Sequence, residues 1–248
     1  MNIFKRSFHL SHFIFPTGGT CLEFGVFKGA TYAYQAEQIL KKYNNSSIIG
    51  FDSWLGLPDE TQGIWAPKRH EPGNYCADKD EVLLKLSRIG ASTNDHRFKL
   101  VDGFFEKTLT DDLRKTINDL IFVNVDVDIH RSTIELLQFV GPLLRPGTVI
   151  YWDDWKDPRD EGPEAWGEHL AWEEWHSKNT HIEVETIEVN PVNQRIMVVT
   201  KVGKNSISTL KPSMYDIRSW AMQLTEIKNE SVEKPSIYNL IRDKIMMR

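Results

Sequence analysis

The sequence contains little cysteine, no long apolar run and no dense cluster of basic residues. Its 248 residues include 2 cysteines, Cys21 and Cys76, which form neither a disulfide framework nor a zinc-binding pattern, so we expect a reducing, cytoplasmic environment. No apolar run approaches the ~20 residues of a membrane helix, so we expect no membrane association. The net charge of −5 and the scattered Lys and Arg residues argue against non-specific binding of nucleic acid.

The two ends of the chain differ in pattern from its middle. Residues 1–19 resemble a signal peptide in having a basic pair before an apolar stretch, but two histidines interrupt that stretch and no small-residue cleavage site follows. We therefore expect residues 1–19 to form a docking or lid segment. Residues 20–203 are predicted to form one domain. Residues 204–248 are predicted to form a helical extension that could mediate formation of a homo-oligomer.

Strand-like and helix-like segments alternate through the middle of the chain. This alternation is typical of βαβ units and predicts a mostly parallel α/β sheet with helices on both faces. We expect seven strands, of which the last two form an antiparallel hairpin. The predicted strands are residues 20–26, 47–52, 97–103, 120–128, 148–152, 181–189 and 194–201. Four of the predicted helices are residues 30–43, 78–89, 106–118 and 163–178. A further helix follows strand four, is predicted to be capped by Ser132 and Glu135, and is ended by residues 145–147.

The turn after the first strand reads EFGVFKG (23–29) and opens a helix. In open parallel sheets, ligands bind beyond the carboxyl ends of the strands, and glycines allow the backbone to approach a ligand closely. A dinucleotide-binding turn would have glycine in place of Glu23, whereas an acid there repels a pyrophosphate and attracts a sulfonium. Glu23, Gly25, Phe27 and Gly29 are therefore predicted to contact a nucleoside cofactor that carries a positive group. The alternative is a tight turn with a solvated glutamate.

Strands two and three also end in polar residues. Asp52, with Ser53 beside it, is placed to accept hydrogen bonds from two ribose hydroxyls, and Asp102, Gly103 and Phe104 are placed to hold an adenine. S-adenosylmethionine fits this pattern better than NAD, because it has a ribose, an adenine and a cationic centre but no phosphate. In the alternative, the aspartate after strand two caps a turn and the aromatic residues after strand three belong to the core.

Strands four and five end in acidic residues that are expected to meet if the two strands are neighbours in the sheet. Asp126 ends the first of these strands, Asp153 and Asp154 end the second, and neighbouring strand ends lie about 5 Å apart. Carboxylates this close repel one another unless a cation lies among them, and all-oxygen ligands suit Mg²⁺, Mn²⁺ or Ca²⁺. These three residues are predicted to bind a divalent ion, with Asp126 also near the cofactor. The alternative is a solvated acidic loop, because residues 153–161 are strongly acidic.

Two groups near the predicted ion could accept a proton. Asp128 is preferred over His130, because a hydroxyl bound to a divalent ion loses its proton readily and needs only a weak acceptor. Trp54, Trp65 and Trp155 could line a pocket for a sugar or another ring, since aromatic faces stack well on such groups, or they could pack within loops.

Five motifs between residues 20 and 155 add a family resemblance. They are, in order, LEFGVFKGAT, GFDSWLGLP, VDGFFEKTL, VDVDIHRST and VIYWDDW. Together they resemble the metal-dependent macrocin (TylF-like) O-methyltransferases. The resemblance implies a class I methyltransferase fold, which is Rossmann-like. It also implies a role for each matching position. The ion would be bound by Asp126, Asp153 and Asp154, and the base would be Asp128. The methyl donor would be contacted by Glu23, Gly25 and Asp52.

The chain departs from that family in two places. His130 stands where the family usually has tyrosine, and the tryptophan-rich residues 161–178 and the C-terminal extension match nothing in it. We expect an S-adenosylmethionine-dependent O-methyltransferase with a divalent ion, acting on a hydroxyl of a sugar or another small polyhydroxylated or natural-product molecule. The alternatives are a nucleotide-dependent oxidoreductase on a similar sheet and a non-catalytic cofactor-binding module.

Overall fold

The computed structural model describes residues 2–60, 70–155 and 166–206. In these residues the strands are β1 (Thr20–Phe24), β2 (Ser47–Asp52), β3 (Phe98–Asp102), β4 (Leu120–Val125), β5 (Val149–Trp152), β6 (Ile182–Val189), β7 (Arg195–Val202) and β8 (Asn205–Ser206). The α-helices are α1 (Ile3–Ile14), α2 (Ala30–Lys41), α3 (Lys79–Arg88), α4 (Phe105–Thr108), α5 (Asp111–Lys115), α6 (His130–Val140) and α7 (Gly167–Lys178). None of the helices in these ranges combines the length and apolar character that a membrane crossing requires.

The strands form one mostly parallel sheet in the order β3-β2-β1-β4-β5-β7-β6. Strands β1 to β5 pair in parallel, and β7 runs antiparallel to both β5 and β6, which confirms the predicted architecture with its C-terminal hairpin. The predicted count of seven strands is wrong, because β8 pairs with β7 and makes an 8-stranded sheet. Strand β8 has two residues and follows a turn at Gly203, so it is too short to show an alternating pattern.

The centre of the sheet brings the ends of three strands together. Every residue of β4 and of β5 is buried, as expected for parallel strands that are covered by helices on both faces. In the ladder, Val125 pairs with Phe24 on one side and with Trp152 on the other. Asp126 and Asp153 therefore leave neighbouring strands at the same edge, and the Asp153 N–H donates to the Val125 carbonyl oxygen at 2.9 Å.

Three local predictions are corrected by the backbone. Helix α6 begins at His130, and its N-cap, Ile129, makes no side-chain capping bond, so Ser132 lies inside the helix and the predicted cap by Ser132 and Glu135 is wrong. Strand β4 ends at Val125, because the chain turns through Asp128, which has a φ of 60°. The helix predicted for residues 106–118 is divided into α4 and α5. Thr110 separates them, and its hydroxyl caps α5 by accepting the Leu113 N–H at 3.2 Å.

Helix α1 covers one face of the sheet. The Phe4 ring lies 5.4 Å from the Tyr151 ring in an edge-to-face arrangement, so the helix packs on β5. Its two buried histidines make polar contacts with α2 and the residues that follow it. His9 is hydrogen-bonded to the hydroxyls of Tyr43 at 2.7 Å and Tyr34 at 2.8 Å, and His12 stacks on the Tyr43 ring at 3.8 Å.

Acid is expected to weaken the fold through these two histidines. Burial lowers the pKa of His9 and of His12 from 6.5 to about 4. The unfolded chain therefore takes up protons at a higher pH than the folded chain, so the stability that these groups contribute is complete above pH 6.5 and is lost as the pH falls towards 4. Since one pKa unit corresponds to about 1.4 kcal/mol, we expect the contribution of these two histidines to the free energy of unfolding to fall by about 2–4 kcal/mol between pH 7 and pH 5.

Urea unfolding at these two pH values checks the expectation. A variant with both His9→Gln and His12→Gln should lose less stability in acid than the wild type. His96→Gln is the matched control and should leave the pH dependence unchanged, because the His96 side chain is 94% exposed. Buried carboxyl groups act with the opposite sign in all three proteins, so the difference between them isolates the histidines. A double variant as acid-sensitive as the wild type would contradict the assignment.

Candidate functional site

A cavity of about 260 Å³ opens at the carboxyl ends of the parallel strands, where the strand order reverses between β1 and β4. The loops that follow β1 to β5 all contribute to its lining. The site residues predicted from the sequence that line it are Gly25, Phe27, Asp52, Ser53, Gly103, Phe104, Asp126, Asp128, Asp153 and Asp154. Four further predicted residues are outside the lining: Glu23, Gly29, Asp102 and His130.

The loop after β1 lies directly against the end of β4. A Cβ atom on Gly25 would come within 1.8 Å of the Asp126 carbonyl oxygen, and Gly25 has a φ of 85°. Only glycine fits both the close approach and this backbone conformation. Phe27 then turns the chain with a φ of 48°, and its N–H donates to Asp52 Oδ2 at 2.7 Å. The first two predicted donor-binding loops are therefore joined by a hydrogen bond.

Glu23 lies beneath the cavity, in the core. Its side chain is fully buried and accepts hydrogen bonds from the Thr31 hydroxyl at 2.8 Å and from the Gln35 amide. Burial raises the pKa of Glu23 to about 8. The alternative of a solvated glutamate is therefore wrong, and the acid ties β1 to α2. Gly29 also serves packing, because a Cβ atom there would meet Val82 of α3 at 2.8 Å.

Asp52 holds two turns with one carboxylate. Besides the Phe27 N–H on Oδ2, it accepts the Trp54 N–H on Oδ1 at 2.7 Å. Burial raises the pKa of Asp52, and the backbone N–H donors oppose that effect. The turn-capping alternative is thus confirmed as a contact, and Asp52 also lines the cavity.

Some residues at the end of β3 line the cavity and others face the surface. Gly103 and Phe104 line the cavity, and the Gly103 N–H donates to the Asp52 carbonyl oxygen at 2.9 Å. The Asp102 side chain is 50% exposed and accepts hydrogen bonds from Trp54 Nε1 at 2.8 Å and from the Lys79 ammonium. The register Asp52 to Asp102 places the two acids on neighbouring strands, but only the first faces the cavity.

Asp126, Asp153 and Asp154 form the acidic cluster predicted from the sequence. One carboxylate oxygen from each lies within 4.8 Å of the others. Burial, followed by the charges of Asp153 and Asp154, raises the pKa of Asp126 well above its usual range. Burial also raises the pKa of Asp153. The solvated-loop alternative is therefore wrong for these three residues, which are partly buried and face one another.

The surroundings of Asp153 hold its carboxylate in place. The Tyr151 hydroxyl donates to Asp153 Oδ1 at 2.5 Å, and Gln194 Nε2 donates to the same oxygen at 2.6 Å. Both donors occupy one oxygen of the carboxylate. Three convergent carboxylates with oriented partners are the donor set that Mg²⁺ or another hard divalent ion prefers, so the residues fit such an ion.

The two candidate bases lie on different sides of the loop after β4. Asp128 lines the cavity, and its Oδ1 lies 3.5 Å from His70 Nε2. His130 points away and is hydrogen-bonded to Glu174 Oε2 of α7 at 2.9 Å. The structure therefore favours Asp128 over His130 as the group that can reach a ligand. His70 was not recognised in the sequence, because no motif surrounds it.

Other residues around the acidic cluster were also missed from the sequence. Glu168, at the start of α7, is fully buried and accepts the Val127 N–H on Oε1 at 3.1 Å. Tyr151 and Gln194 bind Asp153, and Ser132 of α6 lines the cavity. The only sequence signal was for Ser132, which was misread as a helix cap. Glu168 and Gln194 lie on elements distant in sequence, so spacing could not associate them with the acids, and Tyr151, two residues before Asp153, carries the apolar pattern of a buried strand.

The three tryptophans proposed for an acceptor pocket have different outcomes. The Trp54 indole N–H donates to Asp102, and Trp65 is outside the described residues. Trp155 is 4% exposed, and its ring lies between His169, stacked at 4.7 Å, and the Arg195 guanidinium at 3.9 Å. The packing alternative is therefore confirmed for Trp155.

A known protein family matches the part of the chain that builds this site. A family model described as "Methyltransferase domain" matches residues 22–155, which span the strands and loops that build the cavity. No curated protein sequence matches the chain significantly.

Solved structures share the fold at low sequence identity. The O-methyltransferase NovP is 19% identical with a TM-score of 0.62, and the match covers 79% of this chain and 78% of that chain. The calicheamicin methyltransferase CalS11 is 19% identical with a TM-score of 0.58, covering 79% and 77% of the two chains. An apo structure of CalS11, described as a TDP-rhamnose 3'-O-methyltransferase, is 20% identical with a TM-score of 0.53, covering 79% and 78%.

Proposed function

Because the chain belongs to the methyltransferase domain family of S-adenosylmethionine-dependent enzymes, we propose that it is an O-methyltransferase that uses a divalent ion to activate an acceptor hydroxyl. The acceptor class we propose is a sugar or another small polyhydroxylated natural product. The observation that carries the proposal is the group of three convergent carboxylates in the same cavity as the predicted donor loops. Family membership removes the oxidoreductase alternative.

The two sides of the cavity support different parts of the proposal. On the donor side, Gly25, Asp52 and Gly103 line the cavity, and the Asp52 carboxylate would bind the ribose hydroxyls. On the other side, Asp126, Asp153 and Asp154 would hold Mg²⁺, or Mn²⁺ or Ca²⁺ in its place. The neighbours NovP and CalS11 are described as O-methyltransferases, which agrees with a hydroxyl acceptor. The macrocin (TylF-like) subfamily remains part of the proposal, on the motifs alone.

The residues of the chain divide the reaction between them. Asp52 orients the donor, and the acid cluster positions the acceptor hydroxyl for in-line attack. A divalent ion held by Asp126, Asp153 and Asp154 would lower the pKa of the acceptor hydroxyl. Asp128 accepts the hydroxyl proton while the acceptor oxygen bonds to the methyl carbon and the carbon–sulfur bond breaks, leaving the electron pair on sulfur. His70, beside Asp128, is placed to orient that carboxylate.

Transfer of a labelled methyl group tests the proposal. Purified protein is mixed with methyl-labelled S-adenosylmethionine and a panel of nucleotide sugars, glycosides and catechols, with Mg²⁺ or with EDTA. We expect transfer to at least one hydroxyl, loss of transfer in EDTA and recovery on adding excess Mg²⁺. Transfer that survives EDTA would contradict the role of the ion. Donor binding without transfer to any acceptor would favour a non-catalytic cofactor-binding module.

Two further expectations remain proposals. A homo-oligomer is proposed to form through the C-terminal extension, but residues 207–248 are outside the described part of the chain. The cytoplasmic location, like the absence of membrane and nucleic-acid partners, is likewise proposed from composition. Light scattering of the full chain measures the oligomeric state directly.

A further inference from the structure

Glu168 makes an unusual contact with the loop that carries the acidic residues. It lies in the first turn of α7, its side chain is fully buried, and its Oε1 accepts the Val127 N–H at 3.1 Å. Val127 stands between Asp126, a proposed ion ligand, and Asp128, the proposed base. One carboxylate oxygen from a distant helix therefore holds the peptide that joins these two residues.

The second oxygen of Glu168 has no hydrogen-bond partner among the described residues, although it is buried. A buried carboxylate oxygen without a donor is costly unless a cation or a proton compensates it. The charges of Asp154, Asp128 and Asp153 all act on Glu168. A fourth acid beside a cluster of like charge would destabilise the fold further unless a cation or a proton compensates it.

The start of α7 packs tightly against the same loop. A Cβ atom on Gly167 would lie 2.6 Å from the Asp128 carbonyl oxygen, and Gly167 has a φ of 54°, so glycine permits this approach. Further along α7, Glu174 binds His130 at 2.9 Å. Two contacts therefore fix the helix on either side of Glu168, and its carboxylate cannot move away without disturbing the loop.

We propose that Glu168 is a positioning residue for the ion site: it holds the Val127 peptide so that Asp126 and Asp128 face the cavity, and its second oxygen adds negative charge behind the ion ligands. This inference rests on the proposed metal-dependent function. It assigns a role to the tryptophan-rich helix, which the family motifs do not include. Groups that orient the ligands of a metal typically change metal affinity or activity by about 10–100-fold when they are replaced.

Calorimetric titration of the full chain with MgCl₂ and MnCl₂ tests the proposal independently of turnover. Glu168→Gln keeps an oxygen that can accept the Val127 N–H but removes the charge, and we expect it to bind the ion about tenfold more weakly. Its Tm without metal should equal or exceed that of the wild type, because a buried like charge is gone. Glu173→Gln removes a charge from the same helix, and we expect unchanged ion affinity, since Glu173 is 55% exposed and pairs with His169.

The outcomes separate this proposal from the proposed function. If the wild type binds the ion and Glu168→Gln binds it equally well, the role of Glu168 is wrong while the metal site stands. If the wild type binds neither ion, the metal-dependent function fails and the role of Glu168 fails with it. Glu168→Asp keeps the charge, and its ion affinity is compared with that of Glu168→Ala if the glutamine variant does not fold. We expect it to bind the ion more tightly than Glu168→Ala, and equal affinities would overturn the proposal.

Discussion

Replacing Asp153 with alanine is expected to lower the rate of Mg²⁺-dependent methyl transfer by about a thousandfold. Several kcal/mol of transition-state stabilisation depend on a correctly held ion, and each loss of about 1.4 kcal/mol lowers the rate tenfold. The Asp153 carboxylate is held in place, since Tyr151 and Gln194 both donate to its Oδ1. Affinity for S-adenosylhomocysteine should change only a few-fold, because the donor loops follow other strands. Steady-state rates over a range of Mg²⁺ concentrations measure the first effect and calorimetry the second.

The asparagine variant separates a functional role from a structural one. Asp153→Asn keeps an oxygen for the Tyr151 and Gln194 donors but removes one of the mutually repelling charges. We therefore expect its Tm without metal to be equal to or higher than that of the wild type, while Mg²⁺-dependent turnover is still lost. Asp112→Asn, on a residue whose side chain is 93% exposed, is the charge-matched control and should behave like the wild type. Turnover that persists in Asp153→Asn and in EDTA would remove the metal hypothesis.

Replacing Asp52 with alanine is expected to weaken binding of the methyl donor by about a hundredfold. The loss of charge-assisted hydrogen bonds to ribose costs about 1.5–3 kcal/mol. The Phe27 and Trp54 amides would also lose their acceptor, so both turns that line the cavity would loosen. Calorimetric titration with S-adenosylhomocysteine measures the affinity. Because two amides are left without a partner, we also expect the free energy of unfolding to fall by about 2–4 kcal/mol.

Asp52→Asn is the companion variant for the same site. It keeps one carbonyl oxygen for a backbone donor, so it should lose less stability than the alanine variant while still losing donor affinity. Thermal unfolding of each variant establishes that it is folded at the temperature of the titration. Unchanged donor affinity in both folded variants would show that the ribose does not bind at the end of β2.

Much of the donor side was predictable because it depends on local pattern. A run of apolar residues followed by Asp52, or by Gly103 and Phe104, identifies a strand and the loop at its carboxyl end. Parallel strands place such loops at one edge of the sheet, and five of these loops do line one cavity. What pattern could not decide was which way each side chain points at that edge. Asp102 turns to the surface, although its neighbour in the ladder faces the cavity.

Glu23 illustrates the same limit at the first strand. Its place in the turn motif is visible in the sequence, but its burial beneath Thr31 and Gln35 depends on how α2 packs against β1. His130 is a second case, because its orientation towards Glu174 depends on a helix that begins 37 residues later, at Gly167. In both cases a contact between distant segments sets the environment of the side chain.

The sequence by itself determined the α/β architecture and identified the three acids Asp126, Asp153 and Asp154, because strand periodicity places them at the carboxyl ends of two strands, and the structure supplied the adjacency of β4 and β5. Only the tertiary structure decided the surroundings that make these acids a site. Gln194 on the loop before β7 and Glu168 on α7 meet this acidic cluster only after the sheet is assembled. Hydrogen bonds and charge interactions act at contact distance, and contact distance between distant segments exists only in the folded chain.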